Sequence, residues 1–323
     1  MKLYFAPLEG FTDVIYRRVH HTVFGGVEKY FMPFISPSQS LSFTSRQQAD
    51  FDPRENAGVP AVPQILAKDA DRFLDMARLL RDVGYTEINL NLGFPSGTVT
   101  AKGKGAGMLR DPDALARFLD EVYAKAPLPI SLKTRAGWES PDEWPLLLDI
   151  FCRYPVHEWI FHPRTCREFY HGTPHRDFYG QAVEAAPFPV IYNGDLLCEA
   201  NCRAFAESDP GGAGWMLGRG LLTNPALAQT IQGGEQLTLE SLRSFHDRLY
   251  YEYLNYWPEH AAVGRMHGLM GYLLYAVDCP APIRRALRKV TTAEEYTDAA
   301  ARLFSESTIL DDPCFIPPPW KEK

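Results

Sequence analysis

Residues able to do chemistry gather at the ends of short apolar runs in this chain. The runs end in Pro7-Leu8-Glu9-Gly10, Gln64, Asn91-Leu92-Gly93-Phe94-Pro95, Lys133-Thr134-Arg135, His162-Pro163-Arg164, Asn193-Gly194-Asp195 and Gly218-Arg219-Gly220. A single polar residue in such a place usually opens a solvated loop, but so many in succession point to one shared site. Lys133 would set a fixed cation beside a cofactor ring, and Gln64 offers a donor and an acceptor to a pyrimidine-like edge. A flavin ring needs both. An ion pair with a nearby carboxylate is the ordinary alternative for Lys133. The last two endings suit an anion: glycines let backbone N–H groups approach a phosphate, and Arg219 adds a bidentate cation. The same glycines would also serve two tight turns in left-handed geometry.

The runs themselves are strand candidates: Lys2–Phe5, Lys29–Ile35, Ala61–Leu66, Glu87–Gly93, Pro129–Arg135, Glu158–Arg164, Pro189–Asp195 and Gly214–Gly220, eight in all. Most gaps between them carry a helical pattern, as in Asp69–Val83, Asp111–Lys125 and Leu197–Ser208, with Asp111-Pro112-Asp113 as a helix start. Strands alternating with helices predict a parallel sheet with right-handed crossovers, and eight such units close a (β/α)8 TIM barrel of the α/β class. That fold sets the polar endings on the C-terminal rim. The last two follow the seventh and eighth strands, where barrels commonly bind phosphate. The barrel is expected over residues 1–235. From about Leu239 the apolar residues fall at helical spacing with no further strand candidates, which predicts a small helical domain over 236–310. Residues 311–323, with prolines at 317, 318 and 319, read as an extended surface tail.

Composition bounds the reading. The 323 residues are 46% hydrophobic and 23% charged, ordinary for a chain that buries one sizeable core with room for an appendage. The opening MKLYFAPLEG has only a short apolar run, and no stretch approaches the roughly 18 residues of a membrane span, so neither a signal peptide nor a membrane segment is expected. Cysteines 152, 166, 198, 202, 279 and 314 show no framework spacing, which points to a reducing cytoplasm. A monomer is expected. The net charge of −7 excludes a wholly basic nucleic-acid binder and leaves room for a local patch.

At the rim residues a resemblance becomes specific. The segments APLEGFTD, PQIL, EINLNLGFPSGTVTAKGKGAGML, SLKTRAGW, HPRTCREFYHG, YNGDL and MLGRGLLTNP resemble, in order and spacing, the successive motifs of the tRNA-dihydrouridine synthases. The resemblance runs from residue 3 to about 230, and the helical region after it is similar to that family's tRNA-binding domain. It implies FMN in the barrel mouth, reduction by NADPH, and hydride transfer from the flavin to C6 of a uridine flipped out of tRNA. It also implies roles. Pro7, Leu8 and Gln64 would meet the flavin ring, Lys133 its N1/O2 side, and His162 would lie beside it. Asn193, Asp195, Gly218 and Arg219 would surround the phosphate. Asn91 and Arg135 would face the substrate, Arg164 would join the RNA-facing rim, and Lys102 and Lys104 would belong to a loop approaching the RNA. A plain solvated loop explains those two lysines equally well.

The departure from the pattern is Phe94. Where the family reads Asn-x-Gly-Cys-Pro, this chain reads Asn91-Leu92-Gly93-Phe94-Pro95, and the missing cysteine is the acid that protonates C5 of uracil. A positioned acid is worth about 10²–10⁴-fold, so Asn91, Lys133 and His162 would stand around an impaired centre. Neutral drift, a changed substrate stacked on the ring, or another acid such as Cys166 would each explain the phenylalanine. Three functions follow: an FMN- and NADPH-dependent reductase of uridine in tRNA, a flavin reductase of another small unsaturated molecule, and a non-catalytic tRNA-binding relative.

Other signals weigh less. Gly97 to Lys104 resembles a phosphate loop but is one residue too long and lacks the Ser or Thr after the lysine. His162, Cys166, His171 and His175 match no common zinc spacing, and Cys198 and Cys202, four apart on a helix, read as core-facing, so no metal is expected. Arg284, Arg285, Arg288 and Lys289 form a candidate phosphate patch in a near-neutral region: residues 240–310 hold eight Lys plus Arg and nine Asp plus Glu. A solvated basic face is the alternative.

Overall fold

A computed structural model describes residues 1–38 and 40–316. The three prolines at 317–319, and with them the end of the expected tail, lie outside the described residues. The described chain divides into two compact units: Met1–Pro7, Lys29–Gly194 and Asp209–Met216 in the first, Leu8–Glu28, Asp195–Ser208 and the chain from Leu217 onward in the second.

The first unit is built on nine strands, β1 (Lys2–Phe5), β2 (Lys29–Phe31), β3 (Ala61–Val62), β4 (Gln64–Ile65), β5 (Ile88–Leu92), β6 (Ile130–Gly137), β7 (Trp159–Thr165), β8 (Val190–Tyr192) and β9 (Gly214–Leu217). Their order is β3-β2-β1-β9-β8-β7-β6-β5-β4, with parallel pairing. Only Pro63 separates β3 from β4. Proline cannot donate to a ladder, so the strand is interrupted there, but its carbonyl still accepts from Asn89 N at 2.9 Å. On the other side Met32 N bonds Val62 O and Ile35 N bonds Gln64 O. The interrupted strand therefore joins β2 to β5 and the sheet closes as an eight-stranded barrel, the α/β fold that the runs predict.

The strand alternation decides what points inward. Tyr4, Ala6, Phe31, Val62, Ile160, Ile191 and Met216 form one buried cluster, each at most 5% exposed. At the N-terminal ends of the strands, Lys29 bonds Glu87 at 2.6 Å and Glu158 at 2.8 Å. The helices Ala70–Asp82 and Pro112–Lys125 begin on Asp69 and Asp111, whose carboxylates accept from Arg72 N and Ala114 N. Trp144 stacks on Phe161 with centroids 4.6 Å apart and on Phe178 at 5.5 Å, burying large apolar area outside the strands.

The second unit is largely helical. Its longer helices are Val14–Val23, Leu239–Tyr256, Glu259–Leu273 and Ala293–Glu306, and the expected helical segment 236–310 lies wholly within it. Tyr16, His20 and Phe24 pack on Phe245. One expectation is corrected here: the region after Leu239 does contain strand pairing. β10 (Val277–Asp278) pairs antiparallel with β11 (Thr308–Ile309). Two-residue strands are too short to show a period, so no sequence pattern announces them. Of the final segment, Asp312 accepts from Glu199 N and Ala200 N, and Phe315 packs on Tyr272 and Tyr275.

Candidate functional site

The C-terminal strand ends of the first unit carry a connected set of polar side chains. Asn91 Nδ2 donates to Gln64 Oε1 at 2.7 Å, Gln64 Nε2 donates to Asn89 Oδ1 at 2.8 Å, and Asn89 Nδ2 donates to Ser131 Oγ at 2.9 Å. The ladder crosses β4, β5 and β6 on the inner face. Gln64, Asn89 and Ser131 are fully buried, which their hydrogen bonds make affordable. The carbonyl of Asn91 also shapes the chain that follows, since its Oδ1 accepts from Gly93 N at 3.1 Å and Phe94 N at 2.9 Å.

Lys133, on β6, reaches past β7 to Asn193, which follows β8: Nζ to Oδ1 is 2.7 Å. A bond between strands that are not neighbours must run inside the barrel. Asn193 is held in turn by Nδ2 donating to Met216 O at 2.9 Å. Burial, aided by the Arg135 charge, lowers the Lys133 pKa to about 7 from an ordinary 10.5. At neutral pH such an amine stands between its charged and neutral forms, and an electron-rich neighbour would favour the charged one.

His162, on β7, lies 3.2 Å by Nε2 from Arg164 Nη1, and because a guanidinium can only donate, Nε2 accepts. Its ring tilts against Tyr170. Arg164 is fully buried, with Nε donating to His171 O at 3.1 Å and Nη2 to Gly172 O at 2.5 Å. Arg135 is 2% exposed; Nε donates to Gly93 O at 3.0 Å and Nη1 to Thr165 O at 2.8 Å. Both buried arginines therefore brace rim loops through backbone carbonyls, and Arg164 also holds the His162 ring. Cys166 is buried, its thiol 3.9 Å from the carbonyl oxygen of Pro95, the residue after Phe94 in the chain, and burial pushes its pKa up. Lys102 is exposed and Lys104 half-buried on the segment that follows Phe94.

In the second unit, Leu8 opens a turn in which Phe11 N and Thr12 N both bond its carbonyl, with Gly10 at φ +84. Arg219 Nη2 donates to Asp195 Oδ1 at 2.9 Å, and Asp195 itself takes φ +47. Gly218 immediately precedes the short helix Arg219–Thr223. Arg284 donates to Leu274 O and Val277 O, whereas Arg285 and Arg288 are exposed, so the three do not form one uniform face. Among the described residues no three His, Cys, Asp or Glu side chains are placed to hold a metal ion, and no helix is long and apolar enough to cross a membrane.

Sequence reading missed Asn89 and Ser131, whose i, i+2 spacing from Asn91 and Lys133 was the available signal. It also missed the two arginines' inward turn, which depends on where loop carbonyls fold back.

A parallel barrel whose C-terminal mouth holds buried amides and a lysine with a pKa lowered to about 7 has the layout of a barrel enzyme. The model of the family described as Dihydrouridine synthase (Dus) matches residues 4–306, and the chain belongs to that family. Similar proteins include a probable tRNA-dihydrouridine synthase of Rhodobacter capsulatus, 27% identical over 93% of this chain and 94% of its own. A tRNA-dihydrouridine(16) synthase of Pseudomonas putida is 30% identical over 77% and 79%, and one of Aquipseudomonas alcaligenes 31% over 72% and 75%.

Proposed function

We propose that this protein reduces a uridine of tRNA to dihydrouridine, with FMN as its resident cofactor and NADPH as reductant, in the cytoplasm. The observation that carries the reading is Lys133: a buried ammonium with an amide as its hydrogen-bond partner fits an electron-rich edge such as the N1/O2 side of a flavin. Family membership and the names of the relatives support the substrate.

FMN, when bound, supplies a hydride. The chain's own residues do the rest. Lys133 and Asn193 would orient the electron-rich edge, while the fixed ladder Asn91–Gln64–Asn89–Ser131 presents amide atoms that need no reorganisation on binding. His162, held as an acceptor by Arg164, would lie beside the ring. Arg219, in the second unit, is the residue we assign to the phosphate. Phe94 stands where a proton donor is required and has none to give, so turnover would draw its proton from water or from Cys166, whose raised pKa keeps it protonated at neutral pH.

The test is direct. The purified protein should be yellow, carry FMN near one per chain, oxidise NADPH, and form dihydrouridine slowly in unmodified tRNA. A colourless protein that cannot be reconstituted with FMN would remove the reading.

A further inference from the structure

Three strand-end segments of the first unit meet at Phe94. The Phe34 ring, which follows β2, lies 4.9 Å from the Phe94 ring between centroids, tilted by 57°. Gly105 packs behind Phe94: a Cβ there would stand 2.8 Å from the Phe94 carbonyl oxygen, 3.3 Å from its Cβ and 3.4 Å from Leu66 Cδ1. Ala106 N donates to Phe94 O at 3.1 Å. The backbone around the pair is thus fixed, yet both rings keep partial exposure.

Cations lie on the segments next to the pair. Lys104 Nζ donates to Ser36 Oγ at 2.7 Å, two residues from Phe34. The Lys68 side chain lies along Gly103, its Cδ 3.7 Å and its Nζ 4.0 Å from where a Cβ would sit. Lys102 precedes that glycine, and Arg72 lies in the first turn of the helix Ala70–Asp82. Burial lowers the Lys104 pKa, and the charges of Arg72, Lys102 and Lys68 lower it further, so all three lie within electrostatic reach of Lys104. Two acids stand nearby in sequence: Asp69, whose carboxylate accepts from Arg72 N as the helix cap, and the exposed Asp71 beside Arg72. Lys104 and the three cations within its reach thus form a local basic cluster, on segments next to two half-open rings, in a chain of net charge −7. Flat apolar faces bordered by cations suit unpaired nucleotides, whose bases stack while their phosphates meet Lys and Arg.

We propose that Phe34 and Phe94 form a base-stacking platform and that Lys68, Arg72, Lys102 and Lys104 contact the flanking phosphates, a binding site for an unpaired stretch of RNA at the barrel mouth. The choice of RNA over other polyanions rests on the proposed function. Phe94 thereby has a use that its lack of a proton does not touch.

The experiment measures binding of a short oligouridylate to the FMN-loaded protein at two salt concentrations, with intact tRNA as a second probe. Phe34→Ala should weaken oligouridylate binding about tenfold, and Phe34→Tyr should retain it. Lys68→Gln with Arg72→Gln should flatten the dependence of log Kd on log salt by about 1.4, the share of two single-strand phosphates at about 0.7 each. Unchanged thermal melting would show that the variants fold. Wild-type affinity and slope in both variants would overturn the platform, and if tRNA were still bound and modified, the proposed function would stand without it. Failure of the wild type to bind either RNA would overturn both. Loss of binding in the variants without any dihydrouridine formation would keep the platform and remove the activity.

Discussion

At the scale of single residues, Lys133 and Phe94 make opposite predictions. The folded pKa of Lys133, about 7, lies below its ordinary 10.5, so between these values the unfolded chain binds more protons than the folded one. Stability contributed by this group therefore rises with pH across that window and is flat below it. Lys133→Met removes the penalty. Melting of the flavin-free protein should rise by several degrees at pH 7, and the gain should shrink toward nothing near pH 10; an equal gain at both would contradict a buried ammonium. FMN affinity should fall in the same variant. Phe94→Cys restores a proton donor without disturbing the amide ladder, and dihydrouridine formation on unmodified tRNA should rise by roughly 10²-fold or more, measured as a single-turnover rate, with flavin reduction by NADPH unchanged. An unchanged rate would mean that another group gives the proton, and Cys166, 3.9 Å from Pro95 O, is the first to replace.

At the scale of elements, the loop after β5 depends on a few backbone contacts: the Asn91 carbonyl oxygen on Gly93 N and Phe94 N, Arg135 on Gly93 O, and Gly105 at φ +58 against Phe94 O. Gly105→Ala adds a Cβ in a left-handed conformation and in contact with that carbonyl. It should cost about 1–3 kcal/mol, read as a melting temperature lowered by several degrees, with no such loss for Gly97→Ala, where space is open. The barrel strands were legible because their runs are apolar, bounded and evenly separated. The boundaries shifted where a local cause overrode the pattern. Pro63 splits the third run, and the seventh strand ends at Tyr192, one residue before Asn193, whose side chain meets Lys133 and Met216 O. The strand-end residues of the site were legible for the same reason. Their partnerships were not: Phe34, Leu66 and Phe94 are joined only by the barrel's closure, and nothing in the sequence shows that the loop carbonyls of Thr165 and His171 fold back onto Arg135 and Arg164, which the family resemblance would turn toward substrate and RNA.

At the scale of the whole molecule, a net charge of −7 means that RNA must be held by local patches against a repulsive background, so binding should weaken steeply with salt. The two ends of the Arg284–Arg288 stretch should then part company. Arg285→Gln with Arg288→Gln, both exposed, should lower tRNA affinity and its salt slope while leaving melting within about half a kcal/mol of wild type. Arg284→Gln, which frees the carbonyls of Leu274 and Val277, should instead lower the melting temperature. A salt slope indifferent to the double substitution would remove that stretch from the interface. The central claim, that this family member makes dihydrouridine in tRNA with phenylalanine in the acid's place, is tested most directly by mass spectrometry of tRNA from cells lacking the protein. The account predicts the loss of dihydrouridine at one site, restored by the wild-type chain and restored more fully by Phe94→Cys; an unchanged dihydrouridine content in those cells would contradict it.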